Sequence, residues 1–423
     1  MNHTPPDLPS SYKLVPAEEI EQRLRHARKA LGEAELDGLL ILQNIDRYYF
    51  TGTLQDGILW LPTEGKPVFW VRRSLERARQ ESPIADLRPQ PGISPKLETE
   101  LRAVITPQSH IGLEMDVVPA RLFARFQRLL PDSCRISDAS PLIRNLRACK
   151  SPYEISCIKK AATIMDQVME HAASVLTSGI SEVELMAELE HQARRLGHLG
   201  IVRMRGWNSE LFFGHTLSGG EAARRGYLDS PTNGLGLSPA FPQGAGHNLI
   251  QKGVPISIDF MVNYEGYLAD LTRMVCLDEP PKTFSRTHQD LLALNYELVT
   301  ALRPGTESGE VFKLAQKLAQ DFGLADYFLG HGPDKVSFVG HGVGLEVDEF
   351  PFISDNNPMP LKAGMVVALE PKLTFPPNHH ASTPYNQVPA SAVTTETTYL
   401  ITEKSTIPIT LSPENIKIIK RED

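Results

Sequence analysis

Cysteine is scarce in this chain. Among 423 residues there are four, Cys134, Cys149, Cys157 and Cys276. They are scattered and show no CxxC spacing, which argues against a cysteine-ligated zinc site and for a reducing cytoplasm. Long apolar runs are missing too, so no stretch is fit to span a bilayer. Basic excess is absent: acids outnumber bases mildly, for a net charge of −8. No run of like charge stands out, and neither a nucleic acid nor a membrane surface is an expected partner. Residues 1–15 lack the basic and apolar regions of a signal peptide and read as a flexible, proline-containing tail.

What is present suits two soluble globular domains. The first, over residues 16–150, alternates helix and strand. Glu18–Leu31 has a charged amphipathic helical pattern. Asp37–Leu42, Tyr49–Gly52, the pair within Trp60–Trp70, and Ile111–Met115 read as strands, and Ala120–Leu130 as a helix. This is an α/β pattern. Asp46, Arg47 and Tyr48 could reach a neighbouring site, but a structural role is the expectation. Ser151-Pro152, with Glu154 three residues on from Ser151, marks a helix start and opens a second domain over residues 151–423.

Chemistry concentrates in that second domain. Val254–Val275 reads as a hairpin around the turn cluster Asn263–Gly266. Asp259 and Asp270 lie symmetrically about the centre of that cluster, so a simple register sets them directly opposite each other. Like charges so placed destabilise a hairpin unless a cation lies between them, and oxygen ligands suit a hard or borderline divalent ion. The plainer alternatives are two solvated aspartates, or a bulge at Gly266 that sends them to opposite faces.

A weak repeat extends the pattern. Gly179 and Gly197 bracket one helix, and Gly305 and Gly323 bracket another at the same interval. Each is preceded by a long amphipathic helix, Tyr153–Leu176 or Ser285–Leu302. Each is followed later by an acid-bearing strand, Lys252–Asp259 or Lys362–Glu370. A duplicated helix–helix–strand unit would bring the two acidic strands together about a pseudo-twofold axis. Glu396 lies in a further β-branched run, Val393–Thr402. His341, flanked by Gly340, Gly342 and Gly344, is a candidate nitrogen ligand or a plain turn histidine. One nitrogen beside four carboxylates suits a two-metal centre of manganese, iron, cobalt or zinc.

Asp259, Asp270 in Ala-Asp-Leu-Thr-Arg, His341 in Gly-His-Gly-Val-Gly-Leu, Glu370 in Ala-Leu-Glu-Pro and Glu396 in Thr-Glu-Thr occur in that order. In this the chain resembles the creatinase, prolidase, aminopeptidase P and methionine aminopeptidase family. The resemblance covers nearly the whole chain. It implies a creatinase-like N-terminal α/β domain followed by a pseudo-twofold pita-bread domain, and a homodimer. It implies that Asp259 holds one metal, that Asp270 and Glu396 bridge two, and that His341 and Glu370 complete the second. Manganese is the first expectation, with cobalt, zinc or iron as alternatives. The implied reaction removes a residue preceding proline through a metal-bridging hydroxide, with Glu370 moving protons.

Three positions depart from the pattern. Asp348 stands where family peptidases usually carry a histidine, Gln243 stands near the place of another, and Ser337 replaces a third. An ionised Asp348 cannot donate to a substrate carbonyl, but it can act as a general base. Catalytic candidates are therefore Glu370, Asp348 and Gln243. The main alternative to a peptidase is a hydrolase or lyase on the same fold, acting on a small non-peptide substrate with Asp348 as base. A non-catalytic binding protein is a second alternative. His215, His247 and His331 could stand in for the missing imidazoles or be structural or exposed. His379, His380 and the Arg205–Gly246 segment are candidates to border the pocket.

Overall fold

The computed structural model describes residues 8–333, 335–356, 358–377, 379 and 384–421. The chain forms two compact units that divide between Arg147 and Ala148.

The N-terminal unit is built on a six-stranded mixed sheet. Its order is Asp86–Pro89, Val68–Val71, Gly57–Pro62, Gly38–Ile41, His110–Leu113 and Arg135–Asp138. Leu40, Ile58, Trp60, Trp70, Ile111 and Leu113 pack with Leu97, Leu101 and Phe126 from the helices into one core cluster. Burying each such side chain contributes roughly 1.5–3 kcal/mol. One strand expectation fails. Tyr49–Gly52 ends the helix Asn44–Thr51, which Gly52 closes at φ 75°. Ile45, Tyr49 and Phe50 are its buried apolar residues, a helical spacing that the four-residue stretch alone does not reveal. Asp46 and Arg47 are structural, as expected. Asp46 pairs with Arg147 at 2.6 Å, both buried. Arg47 donates to the carbonyls of Leu42, Gln55 and Gly57.

The C-terminal unit carries an antiparallel run of seven strands. In spatial order they are Glu349–Ser354, Phe338–Gly342, Val366–Leu369, Glu396–Ile401, Tyr267–Leu277, Ile256–Tyr264 and Gly214–Ser218. Two helix pairs flank this sheet. Pro152–Val175 and Glu182–Leu196 contact the Gly214, Ile256 and Tyr267 strands. In the second pair, Ser308–Asp321 packs against Lys282–Ala301 and contacts the Phe338 and Glu349 strands. This is the duplication read from the repeat. The first two helices each start with a capping box, Ser151 with Glu154 and Ser181 with Glu184. Gly197 and Gly323 take left-handed conformations beyond the second helix of each pair, at φ 113° and 74°. Leu369, Tyr399 and Ile401 share a buried cluster with Leu291, Leu294, Leu298 and Phe312. Strand alternation turns their neighbours Glu370 and Glu396 the other way.

Candidate metal centre

Six neighbouring strands of the sheet each deliver one polar residue to the same place. Read across the sheet these are His341, Glu370, Glu396, Asp270, Asp259 and His215. Register explains the convergence. His215 pairs with Asp259, Asp259 with Thr272, and Thr272 with Glu396, so one row crosses four strands. Paired residues in an antiparallel sheet point to the same face. Leu369 pairs with Thr397, and the same register carried on sets Glu370 beside Glu396.

The hairpin register differs from the expectation by two residues. Strand pairing runs to Tyr264 and Tyr267, and the turn is Glu265-Gly266, both at positive φ, 51° and 94°. That is a two-residue type I′ turn rather than a turn across Asn263–Gly266. Asp259 therefore faces Thr272, and Asp270 faces Met261. The aspartates are diagonal neighbours on one face, and there is no bulge between them. Both are buried.

Close strand packing holds His341. A Cβ on Gly340 would lie 2.5 Å from the Ala368 carbonyl oxygen, and one on Gly342 2.3 Å from that of Phe350. The glycines permit this approach. His341 Nδ1 lies 3.2 Å from the Gly342 carbonyl. A proton on Nδ1 serves that bond and leaves Nε2 facing the acids, the arrangement usual for a metal-ligating imidazole. Nε2 lies 3.3 Å from Glu370 Oε1, 3.9 Å from Asp270 Oδ2 and 4.0 Å from Glu396 Oε1. Thr272 Oγ1 donates to Glu396 Oε2 at 2.6 Å, and the Leu271 N–H to Asp270 Oδ1 at 2.9 Å. The Arg273 guanidinium holds the Glu396 backbone carbonyl.

Sequence reasoning missed Lys372. Its ammonium lies 2.7 Å from Glu370 Oε2, 3.1 Å from Asp259 Oδ2 and 3.5 Å from Glu396 Oε2. The side chain is 3 % exposed. The signal was available. Glu370-Pro-Lys372 is extended, and residues two apart in extended chain share a face. His215 was also undervalued: it is buried on the edge strand, with Nε2 3.8 Å from Asp259 Oδ2.

Electrostatics follows from crowding. Burial and the charges of Glu396 and Asp259 push Asp270 well above the usual carboxylate range. Burial likewise raises Glu396, to about 7, against the opposing charge of Lys372. Glu370 is held down to about 2: burial opposes its charge, but Lys372 and His341 outweigh it. His341 is pushed up to about 10, because contact with Glu370 and the other acids overcomes burial. Burial lowers His215, with Lys372 acting in the same direction and Asp259 against it. In this balance protons and Lys372 offset the carboxylates.

A divalent ion fits part of this set. Asp270, His341 and Glu396 present ligand atoms that all lie within 4.8 Å of one another. An imidazole with carboxylate oxygens suits a borderline divalent metal. Asp259 is different, because its Oδ2 is engaged by Lys372.

The row forms the floor of a cavity of about 330 Å³. Met204, Leu211, Phe212, Phe338 and Phe352 contribute apolar walls, and Asp229, Gln243 and Asp348 polar ones. All seven residues singled out for the site, Gln243, Asp259, Asp270, His341, Asp348, Glu370 and Glu396, border this one cavity. Asp348 Oδ1 accepts the Arg205 N–H at 3.2 Å. Gln243 Oε1 and His215 Nε2 are buried and have no hydrogen-bond partner among the described residues. Ser337 is exposed and bonded to Asn356, outside the cavity wall. His247 is exposed, and His331 contacts Thr374. His379 packs on Tyr327 and Phe375 away from the cavity, and His380 lies outside the described residues. The Arg205–Gly246 segment does border the cavity, through Ser209, Phe212, Leu228 and Gln243 among others.

The profile of metallopeptidase family M24 matches residues 156–403, which include every residue of the row. The chain belongs to metallopeptidase family M24. That of the creatinase/prolidase N-terminal domain matches residues 23–149. The Xaa-Pro dipeptidase of Pyrococcus furiosus is 25 % identical over 362 residues, covering 84 % of this chain and 92 % of that protein. An uncharacterised peptidase of Bacillus subtilis, YqhT, is 26 % identical over 401 residues, 94 % of this chain and all of YqhT. Among solved structures, the dipeptidase PepE of Mycobacterium ulcerans superposes with a TM-score of 0.78 at 24 % identity, covering 97 % of this chain and 100 % of that one. The X-Pro aminopeptidase of Thermotoga maritima does so with a TM-score of 0.74 at 22 % identity, covering 94 % and 99 %. These structures establish the fold: a creatinase-type N-terminal domain followed by the M24 pita-bread domain. The family implies divalent metals.

Proposed function

We propose that this M24 enzyme hydrolyses peptides at the bond before proline, as an Xaa-Pro dipeptidase or aminopeptidase. One observation carries the reading: an apolar-walled cavity whose floor is the row of four carboxylates and two imidazoles. The phenylalanine walls suit a proline ring and an apolar neighbour. Asp229 and Asp348 give the cavity negative charge beyond the row, which suits the α-ammonium of a peptide N-terminus. His215 Nε2 and Gln243 Oε1 are buried without a hydrogen-bond partner among the described residues, at a cost of roughly 1–3 kcal/mol each, and a bound peptide bond relieves that cost. His215 Nε2 is the group placed to donate to the substrate carbonyl, and Gln243 Oε1 the one placed to accept a peptide N–H.

A divalent metal at Asp270, His341 and Glu396 would supply Lewis acidity and lower the pKa of water. We assign manganese first, because the donor set is mostly oxygen, with cobalt, zinc or iron as alternatives. A pair of ions bridged by Asp270 and Glu396 requires Lys372 to leave the acids it holds. Glu370 is engaged at both oxygens, by His341 and by Lys372. That engagement favours a holding role over the proton-moving one. Asp348, fixed by the Arg205 N–H on the cavity wall, is the better candidate base. This favours a second reading, a hydrolase or lyase acting on a small non-peptide substrate. The four cysteines are free, in keeping with a reducing cytoplasm, and the family resemblance supports a homodimer.

The test is a panel of Xaa-Pro dipeptides and longer peptides presented to protein loaded with manganese, cobalt or zinc. Asp270→Ala serves as the ligand-dead control, and Asp348→His restores the family's imidazole. Cleavage by the native protein that is lost in the control supports the peptidase. Cleavage by Asp348→His alone favours the non-peptide reading, and no cleavage by either protein refutes peptide chemistry.

A further inference from the structure

The strongest feature that the family reading does not absorb is Lys372. Three carboxylate oxygens from three strands converge on its ammonium at 2.7–3.5 Å. Metal–carboxylate bonds are about 2.0–2.2 Å for ions of this class. An ion bound by Glu370 Oε2, Asp259 Oδ2 and Glu396 Oε2 would have to stand in the space the ammonium fills. The two cations are therefore alternatives at that point. Lys372 is enclosed, and its Nζ already has three acids around it, so its departure would strip a buried charge of its partners. On the other side of Glu370 and Glu396 the position between Asp270, His341 and Glu396 lies clear of Lys372. Glu370 Oε1 faces His341 there, while its Oε2 serves the lysine. The two carboxylates thus divide their oxygens between a fixed organic cation and a ligand set open to metal.

We propose that Lys372 takes the place of one of two cations, so that the centre holds a single divalent ion beside a permanent ammonium. Asp259 then anchors the lysine instead of a metal, with His215 behind it. The site differs in kind from a two-metal centre. Its fixed cation cannot be exchanged or chelated, and it cannot contribute a coordinated water. Only the ion at Asp270, His341 and Glu396 can activate one. The inference builds on the metallopeptidase reading, but its test counts ions and needs no substrate, so either can fail alone.

The experiment uses the full-length protein, stripped with chelator and titrated with manganese. Metal content after gel filtration and the manganese electron paramagnetic resonance signal are read together. The expected result is one ion per chain with the six-line signal of isolated Mn²⁺. Lys372→Gly, which frees the space, is expected to bind two ions and to give a spin-coupled multiline signal. Lys372→Arg, which keeps a cation, is expected to stay at one. Two spin-coupled ions in the native protein would overturn the proposal, as would no ion at all. A folded Lys372→Gly protein that still binds one ion would also overturn it. Should that variant not fold, the native count and signal decide alone.

Discussion

Replacing Lys372 with glycine should make the metal-free sheet much weaker and its stability unusually dependent on metal. The substitution removes the charge and also the side chain that fills the space between the acids. Asp259, Glu370 and Glu396 then lose the cation that lies within 3.5 Å of each. Removing one member of a buried ion pair costs about 3–5 kcal/mol, because the partner stays buried and uncompensated. That corresponds to amide exchange roughly 10²–10⁴ times faster wherever exchange requires the sheet to open. Metal should then distinguish the two proteins. A ligand at a hundredfold its dissociation constant stabilises the state it binds by about 2.7 kcal/mol per site. With one ion the native protein gains about that much; with two the variant gains about 5.4 kcal/mol at the same saturation. Hydrogen exchange read by mass spectrometry on peptides from Ile256–Leu277 and Glu396–Ile401 follows the site directly. Tryptophan fluorescence would not, since Trp60 and Trp70 are core residues of the N-terminal unit and Trp207, in the C-terminal unit, is already exposed in the folded protein. Metal-free Lys372→Gly that exchanges as slowly as the native protein would refute the view that Lys372 balances the cluster. Equal metal increments in the two proteins would refute the change in ion count.

The cavity's unpartnered groups lead to a prediction about catalysis: Gln243→Leu and His215→Phe should each lower kcat/KM on a cleaved peptide about 5- to 150-fold, the worth of roughly 1–3 kcal/mol, while leaving bound metal per chain unchanged. Loss of metal in either variant would instead make that residue part of the centre. Acid stability should depend on His288, which burial and the charge of Arg273 hold at about 4, against 6.5 for a free histidine. Because the folded value lies below the unfolded one, the unfolded chain binds the proton first as pH falls. Stability is full above pH 6.5 and is lost toward pH 4, by about 2 kcal/mol at pH 5 and about 3 in all. Urea titrations at pH 7 and pH 5 should show His288→Leu flattening that dependence, and an unchanged slope would remove His288 from the account. In the N-terminal unit, Arg147→Ala removes the guanidinium that buried Asp46 pairs with and should destabilise that unit by about 3–5 kcal/mol, visible in the unfolding of Trp60 and Trp70 fluorescence; a change below 1 kcal/mol would refute a stabilising role for this pair.

How much of this was legible in the sequence depended on the range of the interaction involved. Helix starts were, because a capping box is a local device: Ser151 with Glu154 and Ser181 with Glu184 need only three residues of spacing. The duplication was legible because glycines at helix ends are demanded by backbone conformation rather than by tertiary partners. The short helix Asn44–Thr51 was not, since two turns give too few periods to separate a helical from an alternating pattern. The hairpin acids were found but misregistered. Asn263 and Tyr264 look like turn residues, yet Asn263 is fully buried in the strand and its side-chain oxygen accepts the Gly266 N–H, so the turn narrows to Glu265 and Gly266.

Lys372 was hidden for a different reason. A lone lysine in sequence belongs on the surface, because burying its charge is costly without partners. Its three partners come from residues 259, 370 and 396, of which only Glu370 is near in the chain. Sequence patterns identified the acids by their order and assigned them cations from outside. No pattern asked whether the chain already carried one. Four carboxylates collected by four adjacent strands need positive charge wherever it originates, and the fold gathers the acids before any metal is bound. The residue type two positions after Glu370 therefore decides how many ions the gathered acids can still accept, through one side chain and with no change in the ligands themselves.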